Sequence, residues 1–169
     1  MTDYHRTTRE CTLDQLRPEL ARAIRDYAQQ QHWDNLEADV LMCCETTAEK
    51  ISTNRLDTFL NSDVDPITYL ALIATPQRLI WAHSGTRTRV GAASAQYKEM
   101  RLKIFQPKHT QDFAVDVYAH MDATREIAGG RMMLDSGPAA QKFCETVIRA
   151  TDTLYPPEVK KPRRKWFGR

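Results

Sequence analysis

Two apolar runs separated by a four-residue turn constrain the fold of this chain more than any other feature of its sequence. Residues 67–74 are apolar on both faces of a strand, and residues 79–82 form the second run. The segment TPQR, residues 75–78, joins them, and proline at its second position presets the φ angle of a β-turn. Ser84-Gly85 turns the chain again directly afterwards. The pattern predicts an antiparallel hairpin with a buried first strand.

Further short strands are predicted on both sides of this hairpin. Apolar residues at every second position of residues 112–121 predict a half-buried strand. The other predicted strands are residues 40–44, 89–96, 102–105 and 131–135. Gly129-Gly130, ahead of the last of these, predicts a tight turn. Residues 48–66 are polar and predict a long loop, with one helical turn near residues 56–60.

Two helices are predicted, one before the strands and one after them. In residues 12–30 apolar side chains recur at three- and four-residue steps, which predicts an amphipathic helix. Thr12 and Gln15 fit a capping box, whereas Pro18 would break a helix interior. The helix therefore begins near Arg17, or a short turn precedes it. Ser136-Gly137-Pro138 predicts the start of the second helix, and Pro156-Pro157 its end. The predicted apolar face of the second helix is Phe143, Cys144, Val147, Ile148, Thr151 and Leu154.

Charge is unevenly distributed along a chain whose length fits one domain. The chain has 169 residues and a net charge of +2. Residues 156–169 have a net charge of +5 from six cations and Glu158, so residues 1–155 have a net charge of −3. The start has no apolar segment typical of a secretion signal. The densest apolar run, residues 69–74, is far shorter than the roughly 20 residues of a membrane-spanning helix.

The cysteines predict reduced thiols packed as small apolar side chains. The chain has four, Cys11, Cys43, Cys44 and Cys144, without the spacing of a metal-binding motif. Adjacent cysteines rarely pair with each other, and on a strand Cys43 and Cys44 would point to opposite faces. This composition favours a cytoplasmic protein, at or away from a membrane surface.

The segments TPQRLIWAHSG and GRMMLDSGPAAQKFCETVIRAT resemble bacterial domains of the pleckstrin-homology (PH) superfold. The likeness covers residues 39–155, and it implies an α+β, mainly β fold. In that fold a PH-like curled antiparallel sandwich of about seven strands is capped by a C-terminal helix. The N-terminal arm and extra N-terminal helix, residues 1–38, and the basic aromatic tail, residues 156–169, lie outside it.

The resemblance implies a binding role and leaves the ligand open, because this superfold includes lipid-binding, peptide-binding and self-assembling domains. Inositide-binding PH domains have a basic first hairpin. The matching loop here has only Lys50 and Arg55, and Asp57, Asp63 and Asp65 would oppose a polyphosphate. Specific inositide binding is therefore disfavoured, and the resemblance favours a protein partner or a homo-oligomer.

No motif predicts catalysis, a metal or a cofactor. His83 and Ser84 are neighbours and would point apart on a strand, so the histidine is poorly placed to activate the serine. The five histidines are scattered singly. Asp112, Asp116, Tyr118 and His120 share one face of the predicted strand, which is typical of a solvated surface. Gly129-Gly130-Arg131 is too short for a phosphate loop.

Two groups of cations are the candidate binding residues. Arg87 and Arg89 form a basic spot beside the Ser84-Gly85 turn. The tail combines cations with an aromatic pair: Lys160, Lys161, Arg163, Arg164, Lys165, Trp166, Phe167 and Arg169. Such a segment suits an anionic membrane, unpaired nucleic acid or a protein partner.

We therefore predict a non-catalytic binding or scaffold protein, without a cofactor or a metal. Its β-domain would engage a protein partner or its own copies, and its tail would dock to an acidic surface. Nucleic-acid binding through the tail is the first alternative, and a peripheral lipid-binding module is the second.

Overall fold

The computed structural model describes residues 4–51, 65–108 and 110–154. Within these ranges eight strands form two antiparallel sheets, accompanied by helices. The strands are β1 Tyr4–Glu10, β2 Met42–Lys50, β3 Ile67–Ala74, β4 Arg78–Gly85, β5 Gly91–Gln96, β6 Met100–Phe105, β7 Phe113–His120 and β8 Ile127–Leu134. The helices are α1 Pro18–Gln30, α2 Leu36–Asp39 and α3 Pro138–Leu154, with 3₁₀ turns at Leu13–Gln15 and Tyr97–Glu99.

The predicted hairpin is present as β3 and β4, at the centre of the larger sheet. That sheet has the order β1-β2-β3-β4-β5, so each strand pairs with its neighbours in the chain. The Thr75 N–H donates to the Arg78 carbonyl at 3.1 Å, and the Arg78 N–H donates to Thr75 Oγ1 at 3.1 Å. Pro76 lies between them, where its missing N–H costs no sheet hydrogen bond.

The smaller sheet consists of β6, β7 and β8, with β7 in the middle. Alternation along β7 is as predicted on its inner side, where Val115, Val117 and Ala119 are buried, while Tyr118 and His120 are exposed. The predicted turn at Gly129-Gly130 is wrong, because both glycines lie inside β8 and pair with Tyr118 and Val117 of β7. Strand pairing there overrides the local preference of a glycine pair for a turn.

The five-stranded sheet is covered on both faces, so the domain has two apolar cores. Between the sheets, Leu72, Leu79 and Val115 pack with Phe143 and Val147 of α3. On the opposite face, Leu20 and Ile24 of α1 pack against Ile73 and Ile80. Continuous apolar runs are typical of strands covered on both sides. Cys43 belongs to the α1 core and Cys44 to the inter-sheet core, so their predicted opposite orientation is confirmed.

Helix α1 begins at Pro18, which occupies its first turn as predicted. A separate 3₁₀ turn precedes it, and there the Thr12 N–H donates to Gln15 Oε1 at 3.0 Å, as expected of a capping box. The predicted stripe of Leu13, Leu16, Leu20, Ile24 and Tyr27 is buried throughout. The first N–H groups of a helix have no partner within the helix, so proline is tolerated there. Pro18 is therefore compatible with the apolar pattern of residues 12–30, because the α-helix starts at this residue.

Helix α3 follows β8 after a short turn, where Asp135 Oδ1 accepts the Gly137 N–H at 2.9 Å. Phe143, Cys144 and Val147 of its predicted apolar face are buried. Ile148 and Leu154 are 45% and 42% exposed, so the buried stripe is narrower than predicted and includes Ala140 and Ala150 instead. The α+β, mainly β class is confirmed, as an open two-sheet sandwich with a C-terminal helix.

Strand β1 was not predicted from the sequence, and it raises the strand count from about seven to eight. It pairs with β2 along its whole length, from Tyr4 opposite Lys50 to Glu10 opposite Cys44. Its sequence, YHRTTRE, has no apolar alternation, because the strand lies at a sheet edge where solvent reaches most of its side chains.

Candidate binding cleft between the two sheets

A cleft of about 590 Å³ opens between the inner faces of the two sheets. No residue of α3 lines it, so it lies at the end of the sandwich that the helix leaves uncovered. Its volume is within the range of roughly 300–1,000 Å³ that ligand sites occupy in proteins. The cleft is therefore the candidate functional site.

The five-stranded sheet forms one wall of the cleft. Pairing aligns Leu72 with Trp81 and Ala93 in one row across the sheet, and Thr46 with Leu70 and His83 in the next. Of these six residues, all except Leu72 line the cleft. Side chains alternate between the two faces of a strand. The residues between these positions, such as Ala71 and Ala82, therefore point to the opposite face and pack in the α1 core.

The three-stranded sheet forms the other wall, and its small residues create the space. Gly130 lies opposite Val117 on the inner face, and Ala128 lies opposite Ala119. A Cβ atom built on Gly130 meets no atom within 4 Å. Domain interiors are normally filled to crystal-like density, so an unfilled position on an inner face marks room for something else.

The charged groups around the cleft are paired with acids that do not line it. Arg6 bonds Asp112 at 2.8 Å, and Arg131 donates to both oxygens of Asp116 at 2.6 and 2.8 Å. The Arg131 hydrogen bonds lower the pKa of the Asp116 carboxyl. Among the described lining residues there is no Asp or Glu. The lining is thus mostly apolar, and it also includes Arg6, Arg131 and His83.

The geometry does not assemble a nucleophile with a base. His83 is exposed on the cleft side of β4, whereas Ser84 is buried on the other side. The two side chains point apart as predicted, although both belong to the strand rather than to a turn. Within the described ranges no three His, Cys, Asp or Glu side chains come close enough to hold a metal ion.

The predicted basic spot lies away from the cleft. Arg87 and Arg89 are exposed between β4 and β5, and neither lines the cleft. Asp65 takes the hydrogen-bond donors of that turn: it accepts the Arg87 N–H at 2.6 Å, the Thr88 N–H at 3.1 Å and the Thr88 hydroxyl. An anion there would have to rely on the two side chains. The other predicted binding residues, Lys160, Lys161, Arg163, Arg164, Lys165, Trp166, Phe167 and Arg169, lie outside the described residues.

Sequence reasoning missed the cleft because its residues come from distant parts of the chain. Tyr4 and Arg6 come from β1, and Gly130 comes from β8. A partial signal existed in the segment GAAS of residues 91–94, whose small side chains indicated a closely approached strand. Gly129-Gly130 of β8 was the other signal of open space, but from the sequence alone this pair predicts a tight turn.

A scan against protein-family models found no match, and neither did searches of curated proteins and of solved structures. Among the described helices, none is both long and apolar enough to cross a membrane.

Proposed function

We propose that this chain is a non-catalytic binding protein of the PH-like superfold that engages a protein partner or its own copies. The order of elements supports the superfold: a meander of β2 to β5, a second meander of β6 to β8, and then α3. In this proposal β1 is an addition at the edge of the first sheet.

The observation that carries the proposal is the mostly apolar cleft, which the described residues leave open. Leu70, Trp81, Val117, Met121 and Met132 all contribute to its lining. Fully burying one large apolar side chain contributes about 1.5–3 kcal/mol, so a partner group that enters this cleft has a substantial driving force. The exposed end of the sandwich lets that group enter without unfolding either core.

The charge pairing supports binding rather than catalysis. Arg6 and Arg131 each have a carboxylate partner, and a general acid or base would need a perturbed, unpaired group close to the substrate. His83 is the one imidazole among the described lining residues, and it is exposed.

The experiment uses Gly130→Leu, which places a side chain where a Cβ finds open space. The probe is 1-anilinonaphthalene-8-sulfonate, whose fluorescence rises in apolar sites. The full chain should bind it, and Gly130→Leu should reduce the signal several-fold because the leucine occupies the cleft. Gln141→Leu is the matched control, since it adds the same side chain at an exposed position of α3.

Equal fluorescence from the parent chain and Gly130→Leu would refute the cleft as the binding site, provided that both unfold at the same temperature. Sedimentation velocity over a range of concentrations would then test self-association separately. A strict monomer at high concentration would remove the chain's own copies from the proposal.

A further inference from the structure

The entrance of the cleft lies between two sheet edges. β1 ends one sheet and β8 ends the other, so in the part of the chain described each has a side without a partner strand. Tyr4 and Arg6 of β1 line the cleft together with residues 129–133 of β8. Hydrogen bonds between Thr8 and Asp135 join the two edges at one end. Beyond that junction the edges border the entrance.

Main-chain groups of both edges point towards this entrance. The Thr8 N–H donates to Asp135 Oδ2 at 2.8 Å, and the Asp135 N–H donates to Thr8 Oγ1 at 3.1 Å. Both amides therefore point away from their neighbouring strands. Because the direction of main-chain groups alternates along a strand, the amides of Arg6 on β1 and of Met133 and Arg131 on β8 point the same way.

The β8 edge lacks the features that protect natural sheet edges. Edge strands usually have a proline, a lysine or a bulge that prevents pairing with another chain. β8 has the sequence IAGGRMML, and residues 127–131 are exposed. Its one charged side chain, Arg131, is held by Asp116 on the outer face. Gly129 and Gly130 leave the backbone open to a close approach.

The space beside this edge fits a side chain of an added strand. On a strand paired with β8, alternate side chains would point into the cleft beside Gly130, where a Cβ meets nothing. Arg6 and Arg131 border the entrance, and neither their aspartate partners nor any other acid is among the described lining residues. A neutral or acidic segment is therefore favoured, and a basic one, such as residues 156–169 of this chain, is disfavoured.

We propose that the edge of β8 that has no partner strand within the described ranges binds an extended, neutral or acidic peptide segment of a partner protein. Main-chain hydrogen bonds hold the segment, and one large apolar side chain enters the cleft beside Gly130. This inference rests on the proposed function and adds to it the chemical nature of the partner.

The test starts from a selection of displayed random peptides, each about ten residues long, on the immobilised full chain. Affinities of the enriched peptides are then measured by fluorescence anisotropy at 0.15 M salt, near physiological ionic strength. The enriched peptides should contain a large apolar residue and should have no net positive charge. Gly130→Leu should weaken their binding by about tenfold or more, whereas Gln141→Leu should leave it unchanged.

N-methylation of the peptide backbone tests the strand pairing without altering the protein. Methyl groups on every second amide should weaken binding by about tenfold, the equivalent of one or two main-chain hydrogen bonds. Methyl groups on the intervening amides should have little effect, because those amides point away from β8. Such a dependence on position distinguishes strand addition from simple burial of a side chain.

Three results would overturn the inference. The first is a selection without enriched peptides, and the second is binding that N-methylation at either set of amides leaves unchanged. The third is a concentration-dependent dimer that Gly130→Leu disrupts, because a second copy would then occupy the edge. If the fluorescent apolar probe still binds in the first two cases, the cleft remains a binding site and the peptide mode alone is wrong.

Discussion

Gly85 and Gly130 are on inward-facing positions of β4 and β8, but the space beside their Cα atoms is filled in one case and open in the other. A Cβ on Gly85 would overlap Asp65 Oδ2, so no side chain fits there unless Asp65 moves. A Cβ on Gly130 would meet no atom within 4 Å. Gly85 therefore exists to admit the Asp65 carboxylate, and its replacement would displace that carboxylate from the turn. Gly130 leaves a space that the described residues do not fill.

Asp65→Asn should destabilise the protein at neutral pH. The Thr88 hydroxyl donates to Asp65, and with the N–H groups of Arg87 and Thr88 it lowers the pKa of the carboxyl. A lowered folded-state pKa stabilises the protein above the unfolded value of about 3.9, and this contribution is lost as the pH falls through the lowered pKa. The variant should unfold a few degrees below the parent at pH 7, and the difference should shrink towards pH 2.

Thermal unfolding of both proteins followed by circular dichroism measures this effect. Asp152→Asn is the control, because Asp152 is an exposed residue of α3. A difference in unfolding temperature that stays constant from pH 7 to pH 2 would show that the charge of Asp65 does not matter.

Helix α3 packs into the inter-sheet core, where its Phe143 side chain is fully buried. Phe143→Ala should lower the free energy of unfolding by about 3–5 kcal/mol, because it removes a large side chain and leaves a cavity. Ile148→Ala, at a 45% exposed position of the same helix, should cost less than about 1 kcal/mol. Urea unfolding of the two variants measures both values, and equal losses would contradict this packing of α3.

Strands β1 and β2 place two thiols in contact. The sulfur atoms of Cys11 and Cys43 are 3.8 Å apart. The hydrogen bond between them lowers the pKa of Cys11, whereas that bond and burial raise the pKa of Cys43. Burial also raises the pKa of Cys44, and it raises that of Cys144 to about 11. All four thiols are buried and free.

Labelling with Ellman's reagent at pH 8 should therefore be slow in the folded protein, with Cys11 reacting first. In guanidinium chloride all four thiols should react at once, because unfolding exposes them and restores ordinary pKa values. Cys11→Ser should remove the first phase of the folded-state reaction. Rapid labelling of Cys43, Cys44 or Cys144 in the folded protein would contradict their burial.

Local patterns predicted the elements whose partners are close in sequence. The β3–β4 hairpin, β7 and both long helices follow from apolar periods, a proline turn and a proline helix start. β1 could not be predicted in this way, because its pairing with β2 is a long-range contact and its exposed side chains have no apolar period. The same reason hid the cleft, whose entrance joins Arg6 to residues 129–133 only after the sheets have formed.

Charge separates the whole molecule into an acidic body and a basic tail. Residues 1–155 have a net charge of −3 and residues 156–169 a net charge of +5. Within about 8 Å, the screening length at 0.15 M salt, the two parts would attract each other as well as outside partners. The body and an outside acidic surface therefore compete for the tail, so docking of the tail should depend strongly on salt.

Flotation of the full chain and of a chain that ends at Tyr155, with neutral and with anionic vesicles, tests this docking. Each cation near an anionic surface contributes about 1 kcal/mol, and the aromatic pair can enter the interface. Only the full chain should float, only with anionic vesicles, and less at 0.15 M salt than at low salt.

A full chain with Trp166→Ser and Phe167→Ser should float weakly if the aromatics insert, and as strongly as the parent if charge alone acts. If the full chain floats with neither type of vesicle, the acidic surface is not a membrane. Retention of single-stranded RNA by the full chain but not by the shortened one would then assign the tail to nucleic acid.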